Sequence, residues 1–152
     1  MLKRLTDKAT QLTLLDWLTL MEAWWMLLLF HLALFLMSYE RLIISTHAKS
    51  ETNPYSTNAL IIAQNVQRLV GLASRLHFIQ MTCLVKSLTL KKMLSKRNIS
   101  VQIKIGAQKI QNIMYAHAWV EVNSRPIGEA DDVAKKFSVF ESVAKINIRH
   151  FI

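Results

Sequence analysis

The spacing of apolar residues along the chain changes period near residue 98. Apolar residues between positions 59 and 76 recur at three- and four-residue steps, which predicts an amphipathic helix, and residues 83–96 predict another. Asn98 follows this second helix and suits the left-handed backbone conformation of a helix C-cap. From Ile99 to Ile105, apolar and polar residues alternate, as they do along a half-buried strand.

Further strands are predicted after this one. We predict a loop at residues 106–114, a second strand at 115–122 and a turn at 123–126, followed by short strands at 126–129 and near 137–142. Helices come first along the chain and strands follow. That order predicts an α+β fold in which the helices pack on a small antiparallel sheet, rather than a doubly wound α/β fold.

An uncharged segment of seventeen residues, 23–39, lies between Glu22 and Glu40. A membrane-spanning helix needs about 20 apolar residues, and Asp16 and His31 weigh against insertion. We therefore expect a helix covered by the rest of the domain or by a partner protein, with membrane-surface contact and true insertion as alternatives. A signal peptide fits poorly, because the segment begins late and no small-residue cleavage site follows it.

Composition narrows the class of protein. Apolar residues make up 52% of the 152 residues, with only three glycines and two prolines, which excludes a disordered chain and argues against a turn-dense β sandwich. The single cysteine excludes an internal disulfide, and a free thiol suits the reducing cytoplasm. The net charge of +9 is concentrated in residues 51–100, which carry +6, and this favours an acidic partner.

The chemistry suggested by the sequence centres on Cys83. Thr82 is a suitable N-cap, so Cys83 is predicted in the first turn of a helix. Free N–H groups and the positive end of the helix dipole there stabilise a thiolate over a thiol, and the same N–H groups can bind an oxyanion. A buried structural cysteine is the commoner fate of a lone cysteine and is the alternative.

A general base and an orienting acid are predicted on the strands. His117 shares a strand face with Tyr115 and Trp119 and can act as the base for a thiol on a facing helix. A third group must orient the imidazole. The acidic residues beyond the turn are Glu129, Asp131 and Asp132, and the register that would select one of them is not readable from the sequence.

Two stretches together resemble a known family. They are Cys-Leu-x-x-Ser-Leu-x-Leu from Cys83 and His-Ala-Trp-Val-Glu from His117, on either side of the alternating strand. In this order they resemble the transglutaminase-like cysteine peptidases that remove leader peptides in lasso-peptide biosynthesis, in the standalone form. The resemblance covers roughly residues 60–142. It divides the chain into an apolar helical region and loop, 1–57, and a transglutaminase- or papain-like peptidase core, 58–152.

The resemblance implies roles for individual residues. Cys83 would be the nucleophile and His117 its base, and Glu129 stands where the family usually has Asp, so Asp131 is kept as an alternative orienting acid. Trp119 and Gln80 are candidates for contacting the substrate, Gln80 as a side-chain oxyanion donor. Val85 replaces a frequent Pro and Asn98 a frequent Gly, and neither change removes chemistry. No metal or other cofactor is expected, and no glycine-rich phosphate loop is present to bind ATP.

The resemblance also implies partners. They are the leader of a precursor peptide, a small leader-recognition protein and the lasso cyclase, with membrane-surface contact left open. Two other functions are kept as alternatives: a transglutaminase-like acyltransferase that passes the acyl group to an amine, and a non-enzymatic basic adaptor for a membrane or nucleic acid. Nucleic-acid binding is disfavoured because no aromatic residues interleave with the basic cluster Lys91, Lys92, Lys96 and Arg97.

Overall fold

A computed structural model of the protein describes residues 13–36 and 57–139. Three helices come first, and a four-stranded antiparallel sheet with strand order β3-β2-β1-β4 follows, which confirms the α+β prediction. The elements are α1 (Leu14–Leu36), α2 (Thr57–Leu76), α3 (Cys83–Ser95), β1 (Gln102–Ile110), β2 (Ile113–Val122), β3 (Arg125–Pro126), α4 (Val133–Lys136) and β4 (Ser138–Val139).

Helix α1 begins with a reciprocal cap. The Thr13 side chain accepts a hydrogen bond of 3.2 Å from the Asp16 N–H, and the Asp16 carboxylate accepts one of 3.1 Å from the Thr13 N–H. Three residues separate a hydroxyl side chain from an acidic one, which is the spacing of a capping box. The helix therefore starts nine residues before the apolar segment predicted at 23–39, whose last three residues lie outside the described part of the chain.

Helix α3 lies at the centre of the domain and has buried residues on all sides. As predicted, Thr82 caps it, since the Thr82 hydroxyl accepts a hydrogen bond of 3.4 Å from the Val85 N–H. At the other end Asn98 adopts φ 55°, and the Ile99 N–H donates to the Leu94 carbonyl at 3.1 Å. This left-handed cap confirms the role predicted for Asn98.

The loop predicted at residues 106–114 is wrong. Strand β1 continues to Ile110 and β2 begins at Ile113, so that only Gln111 and Asn112 form the turn. Both turn residues have positive φ, 47° and 68°, as a two-residue hairpin turn with the twist of the strands requires. The sequence did not predict this long hairpin, because its turn lacks the usual Asn-Gly signal and because Gly106 interrupts the alternating pattern.

The remaining sheet elements are shorter than the sequence suggests. Strand β3 covers only Arg125–Pro126 instead of 126–129, and β4 covers Ser138–Val139, with residues 140–142 of that prediction outside the described chain. One helical turn, α4, was not predicted. Gly106 of β1 packs closely against this segment, because a Cβ atom there would lie 2.7 Å from the Phe137 Cβ, so only glycine fits.

The main core joins all three helices to one face of the sheet. Leu20, Ala23 and Leu27 of α1 are buried against side chains of α2 and α3, and with Val120 and Val122 of β2 they form one cluster. A second cluster joins Leu84 and Leu88 of α3 to Ile105 and Ala118 of the sheet. These clusters hold the N-terminal end of α3 against the middle of β2.

Candidate active site

The thiol of Cys83 is held at the first residue of α3, beside β2. Thr82 occupies the N-cap, so the N–H groups of the first turn have no partner within the helix. The Leu84 and Ala118 backbone groups hydrogen-bond to the Cys83 side chain. The sulfur therefore receives donors from its own helix and from the neighbouring strand.

His117 lies between the thiol and an acidic side chain. Its Nε2 atom is 3.0 Å from Oε1 of Glu129, and its side chain also hydrogen-bonds to Cys83. Because Nε2 is engaged by the carboxylate, Nδ1 is the ring nitrogen left for the sulfur. The structure thus brings together Cys83, His117 and Glu129, the three residues predicted as nucleophile, base and orienting acid.

The environments of the thiol and the imidazole shift their pKa values in opposite directions. Burial raises the pKa of the Cys83 thiol, but the hydrogen bond and charge of His117, together with the Ala118 and Leu84 backbone groups, bring that pKa below its ordinary value. The hydrogen bond that the His117 imidazolium donates to the Cys83 sulfur raises the pKa of His117 above its ordinary value; burial opposes this, and the Glu129 carboxylate adds to it. Both shifts favour a thiolate–imidazolium pair.

Ser87 fixes α3 against the strand that carries His117. One helical turn after Cys83, its buried hydroxyl donates a hydrogen bond of 3.0 Å to the Ala118 carbonyl. Ala118 follows His117 directly. The same contact therefore sets the register of the thiol and of the imidazole, and the polar Ser87 on a buried helix face was the sequence signal for it.

A bend at Gly128 brings Glu129 to His117. The Ile127 N–H donates to the Val120 carbonyl at 2.9 Å, which extends the β2–β3 pairing by one residue. Gly128 then adopts φ 78°, a conformation that non-glycine residues rarely adopt. A Cβ atom there would also lie 2.1 Å from Nε2 of Gln67, so the Gln67 side chain would have to move.

Gln67 of α2 is a site residue that the sequence did not indicate. Its side chain lies against Gly128 and lines the same cavity as Cys83, His117 and Glu129. Its only signal was a polar residue beside Val66 within the apolar stripe of α2. That signal is weak, because the packing of α2 against the rest of the domain, and not the neighbouring sequence, places Gln67 in the site.

The other predicted residues lie in different places. Trp119 is buried and lines the cavity, with its indole N–H donating to Glu121 at 3.0 Å. Gln80 is exposed and does not line this cavity. Of the three acidic residues beyond the turn, only Glu129 bonds to His117 among the described contacts. Asp131 is exposed, and Asp132 pairs with Lys136 at 3.1 Å.

The cavity beside the thiol has a volume of about 120 Å³. Cys83, His117 and Glu129 lie on its wall. Apolar side chains of α2, α3, β2 and the segment after β3 complete it, namely Val70, Leu90, Val120 and Ile127. A cavity of this kind can hold an apolar side chain of a bound peptide, next to the peptide bond that lies at the Cys83 sulfur. Across residues 13–36 and 57–139, no group of three or more His, Cys, Asp or Glu side chains is placed to hold a metal ion.

Two comparisons relate the chain to known proteins. A family model described as the transglutaminase-like superfamily matches residues 26–142. The microcin J25-processing protein McjB of Escherichia coli is 30% identical over 95 residues, which cover 62% of this chain and 45% of that protein. The match thus accounts for about half the length of this relative. No solved structure matches the chain.

Proposed function

The chain belongs to the transglutaminase-like superfamily, and from that premise and the site geometry we propose that it is a cysteine peptidase that removes the leader from a lasso-peptide precursor. The hydrogen-bonded series Cys83–His117–Glu129 is the observation that carries this proposal. Similarity to a protein that processes microcin J25 supports a precursor peptide as the substrate. The motifs around Cys83 and His117 support the lasso-peptide class.

The first half of the reaction is acyl transfer to sulfur. The Cys83 thiolate attacks the carbonyl carbon at the leader–core junction, and a C–S bond forms as the carbonyl becomes an oxyanion. When this intermediate collapses, the C–N bond breaks and the His117 imidazolium donates its proton to the departing amine of the core peptide. The leader stays on the enzyme as a thioester.

The second half is hydrolysis of the thioester. Neutral His117 takes a proton from a water molecule, which attacks the thioester carbon. The C–S bond breaks, the leader departs with a new carboxylate, and the thiolate is restored. Glu129 keeps the imidazole oriented in both halves and stabilises its charged form, as the carboxylate on Nε2 allows.

The oxyanion is bound by donors at the start of α3. The Cys83 N–H belongs to the first turn and has no partner within the helix. Gln67 also lines the cavity and supplies a neutral side-chain amide, the role considered for Gln80 from the sequence. Donors of this kind act on the charge that develops in the transition state.

The precursor is delivered by a small leader-recognition protein, and the released core passes to the lasso cyclase. This part of the proposal follows from the family resemblance, and the basic charge of residues 51–100 supports contact with an acidic peptide or partner.

Mass spectrometry of the products tests the peptidase reaction. The chain is mixed with a lasso-peptide precursor and a leader-recognition protein, and wild type is compared with Cys83→Ala and His117→Ala. Cleavage at the leader junction by wild type alone is expected. A new amide at that junction instead of a free carboxylate would identify an acyltransferase, and an intact precursor with wild type would contradict the proposal.

A further inference from the structure

The outward face of α1 is entirely apolar. Ten side chains of this helix are exposed, and all ten are apolar. Six of them form a continuous stripe at three- and four-residue steps: Leu18, Met21, Trp25, Leu29, Leu32 and Phe35. Trp25 is 56% exposed and Leu29 is 61% exposed, so the stripe is open to its surroundings along its whole length. An apolar surface of this extent on a monomer marks a contact with something else.

Both acidic side chains of α1 bond to neighbouring helices or to the residues that follow them. Asp16 accepts a hydrogen bond of 3.3 Å from Asn65 of α2, and Glu22 pairs with Lys96 at 2.9 Å and with Arg97 at 3.3 Å. A helix on the surface of a soluble domain normally presents polar residues to water, whereas the ten exposed side chains of α1 are apolar.

The helices that pack against α1 carry a net positive charge. Residues 14–36 and 57–97, which contain the three long helices, carry seven basic side chains and two acidic ones, a net charge of +5, whereas residues 98–139 carry +1. The two acidic side chains are Asp16 and Glu22, and both already bond to polar or basic neighbours. The apolar stripe thus lies in the strongly basic half of the domain.

We propose that the α1 face rests on an anionic membrane surface, with the helix parallel to the bilayer plane. By length and composition this helix could cross a membrane. Its inner face, however, contacts α2 and α3 through the core and the Glu22 pairs, and a spanning orientation would carry those polar helices into the hydrocarbon. An in-plane helix buries the apolar stripe at the acyl boundary while the basic side chains meet acidic headgroups.

The composition of the face favours lipid over a protein partner or a second copy. A protein interface normally places polar and charged groups on a rim around its apolar centre, whereas every exposed position of α1 is apolar. Two copies meeting through this face would also bring their basic halves together, which is unfavourable. An anionic surface satisfies both the apolar stripe and the surrounding charge.

Vesicle flotation of the full chain tests this inference, with phosphatidylcholine vesicles compared with vesicles that also contain phosphatidylglycerol. We expect binding to the mixed vesicles, weakening as salt is raised, and a shift of tryptophan emission to shorter wavelength from the exposed Trp17 and Trp25. Leu29→Glu should lower the partition coefficient by about tenfold or more. The matched control is Ile113→Glu, which changes an equally exposed apolar residue on the β1–β2 hairpin and should bind as wild type does.

Several results would overturn the inference. One is the absence of binding to both kinds of vesicle; another is a Leu29→Glu variant that is folded by circular dichroism yet binds like wild type. A chain that does not bind vesicles but forms a dimer that Leu29→Glu dissociates would assign the face to a second copy. Loss of affinity for a recognition protein without any vesicle binding would assign it to that partner. Vesicle binding by an inactive Cys83→Ala chain separates this inference from the proposed peptidase function.

Discussion

The Ser87 hydroxyl donates a 3.0 Å hydrogen bond to the carbonyl oxygen of Ala118, one turn after Cys83 on the helix and one residue after His117 on the strand. A helix packed on a strand can slide or rotate by a fraction of a turn at little cost in apolar contact. A buried polar contact removes that freedom, because only one register satisfies both groups. The distance between thiol and imidazole is therefore held by a pair of groups that take no part in the chemistry.

Replacing Ser87 with Ala tests this role. The substitution leaves a buried carbonyl without its donor, so we expect the free energy of unfolding to fall by about 1–2 kcal/mol. We also expect kcat/KM for precursor cleavage to fall by roughly tenfold or more, because small displacements of reacting groups are costly. Denaturant unfolding and cleavage rates measure the two effects.

The control, Ser100→Ala, alters an exposed serine and should change stability by less than about 0.5 kcal/mol. Full activity and wild-type stability in Ser87→Ala would contradict the positioning role.

The charge of Glu129 should set the alkaline limb of the pH profile. Activity requires a thiolate and an imidazolium, so kcat/KM rises with pH through the lowered pKa of Cys83 and falls through the raised pKa of His117. Glu129→Gln removes a charge that raises the pKa of His117. The alkaline limb should then move to lower pH, and the profile should narrow. The control is Asp131→Asn, which should leave the profile in place. If Asp131→Asn moved the limb and Glu129→Gln did not, Asp131 would be the orienting acid.

Two glycine substitutions should have opposite effects on stability. Gly128→Ala forces a side chain into φ 78° and against Gln67, and should lower the free energy of unfolding by about 1–3 kcal/mol. Gly71→Ala lies within α2 with no atom within 4 Å of the added Cβ, and should raise stability by about 0.5–1 kcal/mol. Thermal unfolding of the two variants compares them directly. In the double variant Gly128→Ala/Gln67→Ala, the part of the loss in free energy of unfolding that comes from the steric clash should disappear, while the backbone strain persists. If Gly128→Ala lowered the free energy of unfolding equally with and without Gln67, the contact between the two residues would be contradicted.

A buried hydroxyl in α3 should be dispensable. Thr89 is fully buried, and its Oγ1 atom has no hydrogen-bond partner among the described contacts. Thr89→Val replaces that hydroxyl with a methyl group of similar size, so we expect stability to rise by about 1 kcal/mol. Thr82→Val is the opposing comparison, because it removes the N-cap of the same helix and should cost about 1 kcal/mol. A loss of stability in Thr89→Val, measured by denaturant unfolding, would mean that the hydroxyl has a partner.

The parts of the fold that were predictable from the sequence depend on local preferences. The start of α3 follows from the capping preference of Thr82, and its end follows from the tolerance of Asn98 for positive φ. Strand β1 follows from the alternation of apolar and polar residues, although it begins at Gln102 and not at Ile99 as that alternation predicted. The hairpin turn at Gln111 and Asn112 was missed because neither residue signals positive φ as strongly as glycine does.

The parts that were not predictable depend on packing between distant segments. The position of Gln67 in the site follows from how α2 lies against Gly128, and no residue near Gln67 in the sequence records that contact. The contact between Glu129 and His117 depends on a two-residue turn at Asn123 and on the bend at Gly128, which together set the register. A change of one residue in that register would turn the carboxylate to the other face of the sheet.

Alkylation of the single cysteine by iodoacetamide, followed by mass spectrometry as a function of pH, measures most directly whether His117 activates Cys83. The thiolate is the reacting form, so the midpoint of the rate profile reports its pKa without any need for the precursor. In wild type this midpoint should lie below that of an ordinary cysteine, and in His117→Ala it should move upward, because a hydrogen bond and a positive charge are lost while burial stays. An identical midpoint in both proteins, at the value of an unperturbed thiol, would contradict the account.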